Sequence, residues 1–323
     1  MDIVDLAQGC LLGAFIGDSA GARLEFLGRR PSEQEIADAL AMKGGGVLRV
    51  APGQVTDDGE LTLALARALV GEYRFPREKV AINYRAWLTS RPFDVGHATY
   101  ASLSGAVQLK EAVADAVARS ATTHNIDSKA NGALMRASAL GVWATRVTQE
   151  EAAMAACADT KLTHPNLSCQ GASAAYVVAI RHLLLHPGDS VGAFAQAREV
   201  LVSGQAGVGF DEAVSWLDDA QGGALPTGYP MAGFVRIAFT HAFHHLLQET
   251  SFAEALPQVL ACGGDTDTNA CIVGGLVGAR VGIQGIPEPM TRAVVECDTQ
   301  KGRPRPDWLT TRDALELAKA LLA

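Results

Sequence analysis

The sequence predicts an all-α fold on three observations. Apolar residues recur at three- and four-residue intervals through most of the chain. Ala and Leu, both strong helix formers, dominate those stretches, and period-two runs of Val, Ile and Thr are nearly absent. Taken in order, "LTLALARALVGEY" (61–73), "EAVADAVARSA" (111–121), "GASAAYVVAIRHLLL" (171–185) and "GFVRIAFTHAFHHLLQE" (233–249) each read as a helix with an apolar face. Between such segments "RPFDVG", "THPNLS", "HPGDS", "LPTGYP" and "KGRPRPD" are turns, rich in the residues that break helices. None is long or biased enough to be a linker, so positions 1–323 are expected to form a single domain.

Two helices are unusual. Gly9, Gly13, Gly17 and Gly21 fall every four residues, and so do Gly274, Gly278 and Gly282. An interior glycine costs a helix about 1 kcal/mol relative to alanine, so such ladders need compensation. Close backbone approach along a small-x-x-x-small stripe supplies it. Both ladders lie beside acidic residues, Asp18 and Glu25 in one case and Asp265 and Asp267 in the other, so packing them together would gather those carboxylates.

Bulk properties exclude several function classes. The chain has 323 residues, 48% of them hydrophobic, and a formal net charge of -8. An acidic surface is a poor match for nucleic acid or anionic lipid. There is no run of 18 uninterrupted apolar residues, so no membrane span is expected. "LAQGC" superficially matches a lipoprotein cleavage site at Cys10, but Asp2 and Asp5 precede it with no Lys, Arg or apolar stretch, which argues against export. The six cysteines are dispersed with no C-x-x-C pair, as for reduced thiols in a cytoplasmic protein.

The chemistry is concentrated at two helix starts. In "VTDDGELTLALA", Thr56, Asp57 and Asp58 precede an apolar helix, and in "GGDTDTNACIVGG" so do Asp265, Asp267 and Thr268. Capping explains part of this, with Asp57 as N-cap and Glu60 completing a capping box. It does not explain the duplication, because a cap needs one oxygen. Extra carboxylates entering a packed interior must be compensated, and no Lys or Arg stands near either cluster in sequence. A divalent cation would compensate them. Asp and Thr oxygens suit Mg²⁺, Mn²⁺ or Ca²⁺ rather than zinc, and so many carboxylates fit two metals about 3.5–4 Å apart. His241, His244 and His245 include an i, i+4 pair, but without H-E-x-x-H they read as a partly buried helix face. G-x-S-x-G, P-loop and G-x-G-x-x-G patterns are absent, which leaves serine hydrolase, NTPase and dehydrogenase readings unsupported.

In this order, "GCLLGAFIGDSAGARLEF", "VTDDGELTLAL", "NGALMR", "THPN", Gly228-Tyr229 and "GGDTDTNACIVGGLVGARVG" resemble the signatures of the ADP-ribosylglycohydrolases. "GGGVLRVAPGQVTDD" and "WLTSRPFDVG" resemble the dinitrogenase-reductase-activating branch of that family. The likeness runs from about Gly9 to Gly282. It implies a compact orthogonal helical bundle and two divalent cations, Mg²⁺ or Mn²⁺. The implied reaction is hydrolysis of the bond between the distal ribose of ADP-ribose and an acceptor, with arginine on a protein as the acceptor of this branch. It implies metal ligation by Thr56, Asp57, Asp58, Asp265, Asp267 and Thr268, with Glu25 at the metal centre and Asp94 near the scissile bond as catalytic residues. Ser128, Asn131 and Gly132 would hold the diphosphate and ribose, His164 would form the "HP" turn, and Tyr229 would stack on adenine. Gly59, Ala130 and "GYPMAG" depart from the family's usual residues, touch none of the implied ligands, and bear on acceptor-side specificity. A hydrolase for another linkage (serine, poly-ADP-ribose or a small molecule), a two-metal phosphohydrolase and a non-catalytic ADP-ribose-binding module are the alternatives. The expected partners are an ADP-ribosylated protein as substrate and ADP-ribose as product, handled by a cytoplasmic monomer without nucleic acid or membrane.

Overall fold

The computed structural model describes residues 2–203 and 210–323. The helical periodicity resolves there into α1 (Ile3–Ala22), α2 (Glu33–Leu40), α3 (Asp57–Leu69), α4 (Arg77–Thr89), α5 (His97–Ser104), α6 (Val113–Asn125), α7 (Ser138–Trp143) and α8 (Gln149–Thr160). After these come α9 (Leu167–Leu185), α10 (Ser190–Val202), α11 (Asp211–Gly222), α12 (Val235–Leu247), α13 (Phe252–Leu260), α14 (Thr266–Val281), α15 (Glu288–Val295) and α16 (Ala314–Ala320). Among the described residues the only β-type pairings are two isolated bridges, Gly45 with Val50 and Ala130 with Phe234. The fold is all-α, as the periodicity predicts.

The axis of the fold is the antiparallel pair α1 and α14. Gly9 meets Gly278 and Gly282, Gly13 meets Gly274, Gly17 meets Ala270, and Gly21 meets Thr266 and Asp267. A Cβ placed on Gly13 would stand 2.2 Å from the Gly274 carbonyl oxygen, and one on Gly17 would stand 2.0 Å from that of Ala270. The two ladders therefore interlock at backbone distance, and the intrinsic cost of the glycines is offset by this contact. Because the pair is antiparallel, the end of α1 lies at the start of α14, which carries Asp18 and Glu25 to Asp265 and Asp267. By length and composition α1 is apolar enough to cross a membrane, yet 83% of its most apolar window is buried inside the protein. It is a core helix.

One hydrophobic cluster extends from Leu6 to Leu321. Within it α9 lies against α7, α8, α10 and α14. The Tyr176 hydroxyl donates to the Ile272 carbonyl at 2.7 Å, tying α9 to α14. Arg136 is fully buried and makes an ion pair with Asp159 at 2.9 Å, while Tyr84 donates to the other carboxylate oxygen at 2.7 Å. Ala130 and Asn131 run beside the start of α12, where Asn131 N donates to the Gly233 carbonyl at 3.0 Å.

The capping box expected at Asp57 and Glu60 does not form. Thr56 is the N-cap, its side chain makes no capping bond, and Asp57 is already helical. The free amides are satisfied from another helix: Asp18 accepts from Thr56 N at 2.9 Å and from Gly59 N at 2.8 Å. At the start of α14, Glu25 likewise accepts from Thr266 N at 2.9 Å. Capping is thus shared with Asp18 and Glu25, at and just beyond the end of α1, although Asp267 still accepts from Thr268 N at 2.8 Å.

Candidate metal centre and active-site cleft

Seven carboxylates converge where α1 ends and α3 and α14 begin: Asp18, Glu25, Asp57, Asp58, Asp94, Asp265 and Asp267. Donor oxygens of Asp18, Asp58 and Asp267 lie within 4.8 Å of one another, and so do those of Glu25, Asp265 and Asp267. Asp267 belongs to both groups. Thr56 bridges on the inner side, its hydroxyl 2.9 Å from Asp18 Oδ1 and 3.1 Å from Asp58 Oδ2. Among the described residues, no Lys or Arg forms an ion pair with any of the seven.

Like charges in a dry interior resist ionisation. Burial, then the carboxylates around them, pushes Asp57, Asp58 and Asp267 well above the ordinary carboxylate range. Burial raises Asp18 to about 7 against the hydrogen bonds of Thr56 and Gly59, and burial with Asp265 raises Glu25 to about 7. Asp94 is also raised, chiefly by burial. Among the described residues, Asp58 Oδ1 is buried with no hydrogen-bond partner. An orphaned carboxylate oxygen inside an all-oxygen cluster, with no buried cation to answer it, fits a hard divalent ion.

The cluster opens into a cleft of about 540 Å³. Of the thirteen residues singled out from the sequence, ten line it: Glu25, Asp57, Asp94, Ser128, Asn131, Gly132, His164, Asp265, Asp267 and Thr268. Thr56 and Asp58 lie beneath its floor, 0% and 1% exposed. Tyr229 is not among the lining residues. It stands on the Gly263 loop with its hydroxyl 3.2 Å from the Arg29 carbonyl oxygen, and lines a neighbouring depression instead.

The far wall is built by backbone and by His164. Asn131 donates to Asp265 Oδ2 at 2.9 Å, linking that wall to the acidic cluster. A Cβ on Gly132 would stand 2.9 Å from His164 Cε1, so any larger residue there would displace that ring. Burial, with the Arg136 cation nearby, pushes His164 down to about 3, so its ring is neutral and Nδ1 pairs with the Thr163 hydroxyl at 2.8 Å. Two residues on, Asn166 caps α9. His241 and His245 pack in the last turns of α12, and no metal cluster found among the described residues includes them. Sequence reasoning left Asp18 without a ligand role although it follows Gly17 of the ladder, a position that could have signalled it. Phe26, Thr99 and Met135 also line the cleft and carried no such signal.

A family profile described as ADP-ribosylglycohydrolase matches residues 1–323, the whole chain. The chain belongs to the ADP-ribosylglycohydrolase family. It is therefore an enzyme that hydrolyses glycosidic bonds of ADP-ribose. It is 26% identical over 285 residues to the ADP-ribosyl-dinitrogen reductase glycohydrolase of Rhodospirillum rubrum, covering 88% of each chain. A protein of Acanthamoeba polyphaga mimivirus named as an ADP-ribosyl glycohydrolase is 28% identical over 308 residues, covering 90% of this chain and 91% of that one. Over a shorter stretch of 109 residues the chain is 38% identical to the ADP-ribosylarginine hydrolase Tri1 of Pseudomonas putida, covering 32% of this chain and 28% of that one. A solved structure titled as an ADP-ribosylglycohydrolase-related protein complex superposes with a TM-score of 0.75 at 24% identity, covering 99% of this chain and 98% of that one. That likeness establishes the fold.

Proposed function

We propose that this glycohydrolase removes ADP-ribose from modified arginine side chains of proteins, using two divalent cations, Mg²⁺ or Mn²⁺. The observation that carries the reading is the pair of carboxylate clusters sharing Asp267, opened to a cleft beside Asp94. Names of relatives support the linkage: one acts on ADP-ribosylarginine and another on ADP-ribosylated dinitrogen reductase.

Asp18, Asp58 and Asp267 would hold one cation and Glu25, Asp265 and Asp267 the other, with Thr56, Asp57 and Thr268 completing the sites. Bound there, the cations supply Lewis acidity for activating water near neutral pH and charge for orienting the distal ribose. The remaining work falls to the protein. Ser128, Asn131 and Gly132 offer the polar wall that holds the diphosphate and ribose. Asp94 faces the acceptor, and a carboxylate matches the planar fork of a guanidinium. Asp94 and Glu25 both line the cleft with raised affinity for a proton, Glu25 to about 7, which suits them to proton transfer. The surrounding carboxylates stabilise the positive charge that develops on the ribose as the bond breaks. We further place the enzyme in the cytoplasm as a monomer, a setting consistent with six free thiols of which five are buried.

Replacing Asp94 tests the acceptor. Asp94→Ala should suppress turnover of arginine-linked ADP-ribose while the variant still binds ADP-ribose and metal. Undiminished arginine turnover, or faster release from serine-linked or polymeric ADP-ribose than from arginine, would reassign the linkage while leaving the metal site standing.

A further inference from the structure

We propose that Arg305 is a positioning residue for Asp94, and that the segment 303–305 thereby helps set which acceptor the cleft cleaves. The proposal rests on the reading of Asp94 as the acceptor-facing carboxylate. The segment lies beyond the last of the short family-like motifs, which end near Gly282, so none of them pointed to it.

Arg305 is only 8% exposed, and its guanidinium joins three parts of the fold. Toward α3 it makes a two-pronged pair with Glu60, at 2.7 Å and 2.9 Å. Glu60 stands one turn beyond Asp57 on that helix and also accepts from Trp87 of α4 at 2.7 Å. Toward the end of α4, Arg305 donates to the Ser90 and Arg91 carbonyls, both at 3.1 Å, and to the Ser90 hydroxyl at 2.7 Å. These are the free carbonyls of a helix C-terminus, where a cation is favoured.

Arg91 has φ of +57°, a left-handed conformation that costs a non-glycine residue and persists only where its surroundings enforce it. Three residues later comes Asp94. Phe93 between them packs under Arg303, whose guanidinium carbon is 5.3 Å from the ring centroid. The segment is itself fastened: Arg303 N donates to Gln54 Oε1 at 3.0 Å, and a Cβ on Gly302 would stand 2.1 Å from Ala51 N. A single buried cation thus ties the helix that starts with Asp57 to the turn that delivers Asp94, and Arg303 steadies the ring next to it. A displacement of about 1 Å at a reacting group costs on the order of 100-fold in rate, so loosening this tie should be read in turnover.

The test is a double-mutant comparison on an arginine-linked ADP-ribosyl peptide with saturating Mg²⁺. Arg305→Lys keeps the charge and loses the two-pronged grip; Arg303→Ala removes only the cover over Phe93. We expect Arg305→Lys to lower kcat by about 10- to 100-fold, with KM and inhibition by free ADP-ribose unchanged. Arg303→Ala should lose less, in the same direction. Neither change should cost anything further in an Asp94→Ala background, and both should speed hydrogen exchange at 90–96 while leaving the start of α14 protected. Losses that multiply with that of Asp94→Ala, or unchanged exchange at 90–96, would overturn the positioning role. Unimpaired arginine turnover in Asp94→Ala alone would instead overturn the acceptor reading, which the exchange measurement does not depend on.

Discussion

Gly17→Ala puts a single methyl group where the fold and the site meet. Its Cβ would stand 2.0 Å from the Ala270 carbonyl oxygen, 2.4 Å from the carbonyl carbon and 2.7 Å from Cys271 N. All three are backbone atoms of α14, so no rotamer change relieves the contact. Reaching an ordinary 3.4 Å requires the helices to part locally by about 1.4 Å, the difference between 3.4 and 2.0. Overpacking of this kind costs about 1–3 kcal/mol, and alanine returns about 1 kcal/mol of helix propensity. With backbone on both sides the upper end applies, leaving a net loss of about 2 kcal/mol. For a chain of this length, at about 2.1 cal/mol/K per residue, that lowers Tm by about 3 °C. The next residue is Asp18, so its bonds to Thr56 and Gly59 shift as well, and activity should fall on the order of 100-fold. Thermal melting with parallel kinetics reads both effects. Gly222→Ala is the control, because a Cβ there meets nothing within 4 Å at the end of α11, and it should be neutral or stabilising. If Gly17→Ala behaves like Gly222→Ala, the ladders do not interlock and the account of the central pair is wrong.

Other predictions concern charge and the substrate wall. Because burial carries Asp18 from 3.8 to about 7, protonation of the metal-free fold is favoured, and Glu25 acts in the same direction. That stability is fully present below about pH 4 and lost as pH rises through about 7. Melting in chelator should therefore drop between pH 5 and pH 8, and Mg²⁺ or Mn²⁺ should restore most of the loss; equal melting at both pH values would contradict this. Asp58→Asn should raise the melting temperature in chelator while abolishing stabilisation by added metal, and a variant that still gains stability from metal would remove Asp58 from the site. Gly132→Ala should raise KM without changing metal-dependent stabilisation, since its Cβ meets His164 rather than the acidic cluster; kinetics and melting of the one variant check both halves.

The helices and the interlocked ladders were legible because periodicity and glycine spacing are local signals, and a ladder costly in isolation implies a partner. The clusters at Asp57–Asp58 and Asp265–Asp267 were legible as an excess of carboxylate over what capping needs. What the sequence could not show is which carboxylate caps which helix. Asp57 and Glu60 have the spacing of a capping box, but Asp18 reaches those amides first from α1, which lies against the start of α3, and Glu60 turns to Arg305, 245 residues away. The buried Arg136–Asp159 pair is equally invisible, because partners remote in sequence carry no spacing. Tyr229 shows the converse limit: a motif fixes its neighbourhood beside Gly263, while its place relative to the cleft is set by the loop's tertiary packing.

The most direct test of the central claim is mass spectrometry of an arginine-ADP-ribosylated protein incubated with the enzyme, with and without Mg²⁺ or Mn²⁺, alongside Asp265→Asn. The account predicts metal-dependent release of intact ADP-ribose and recovery of unmodified arginine, both lost in the variant. Release of AMP, or release that persists in chelator, would contradict it.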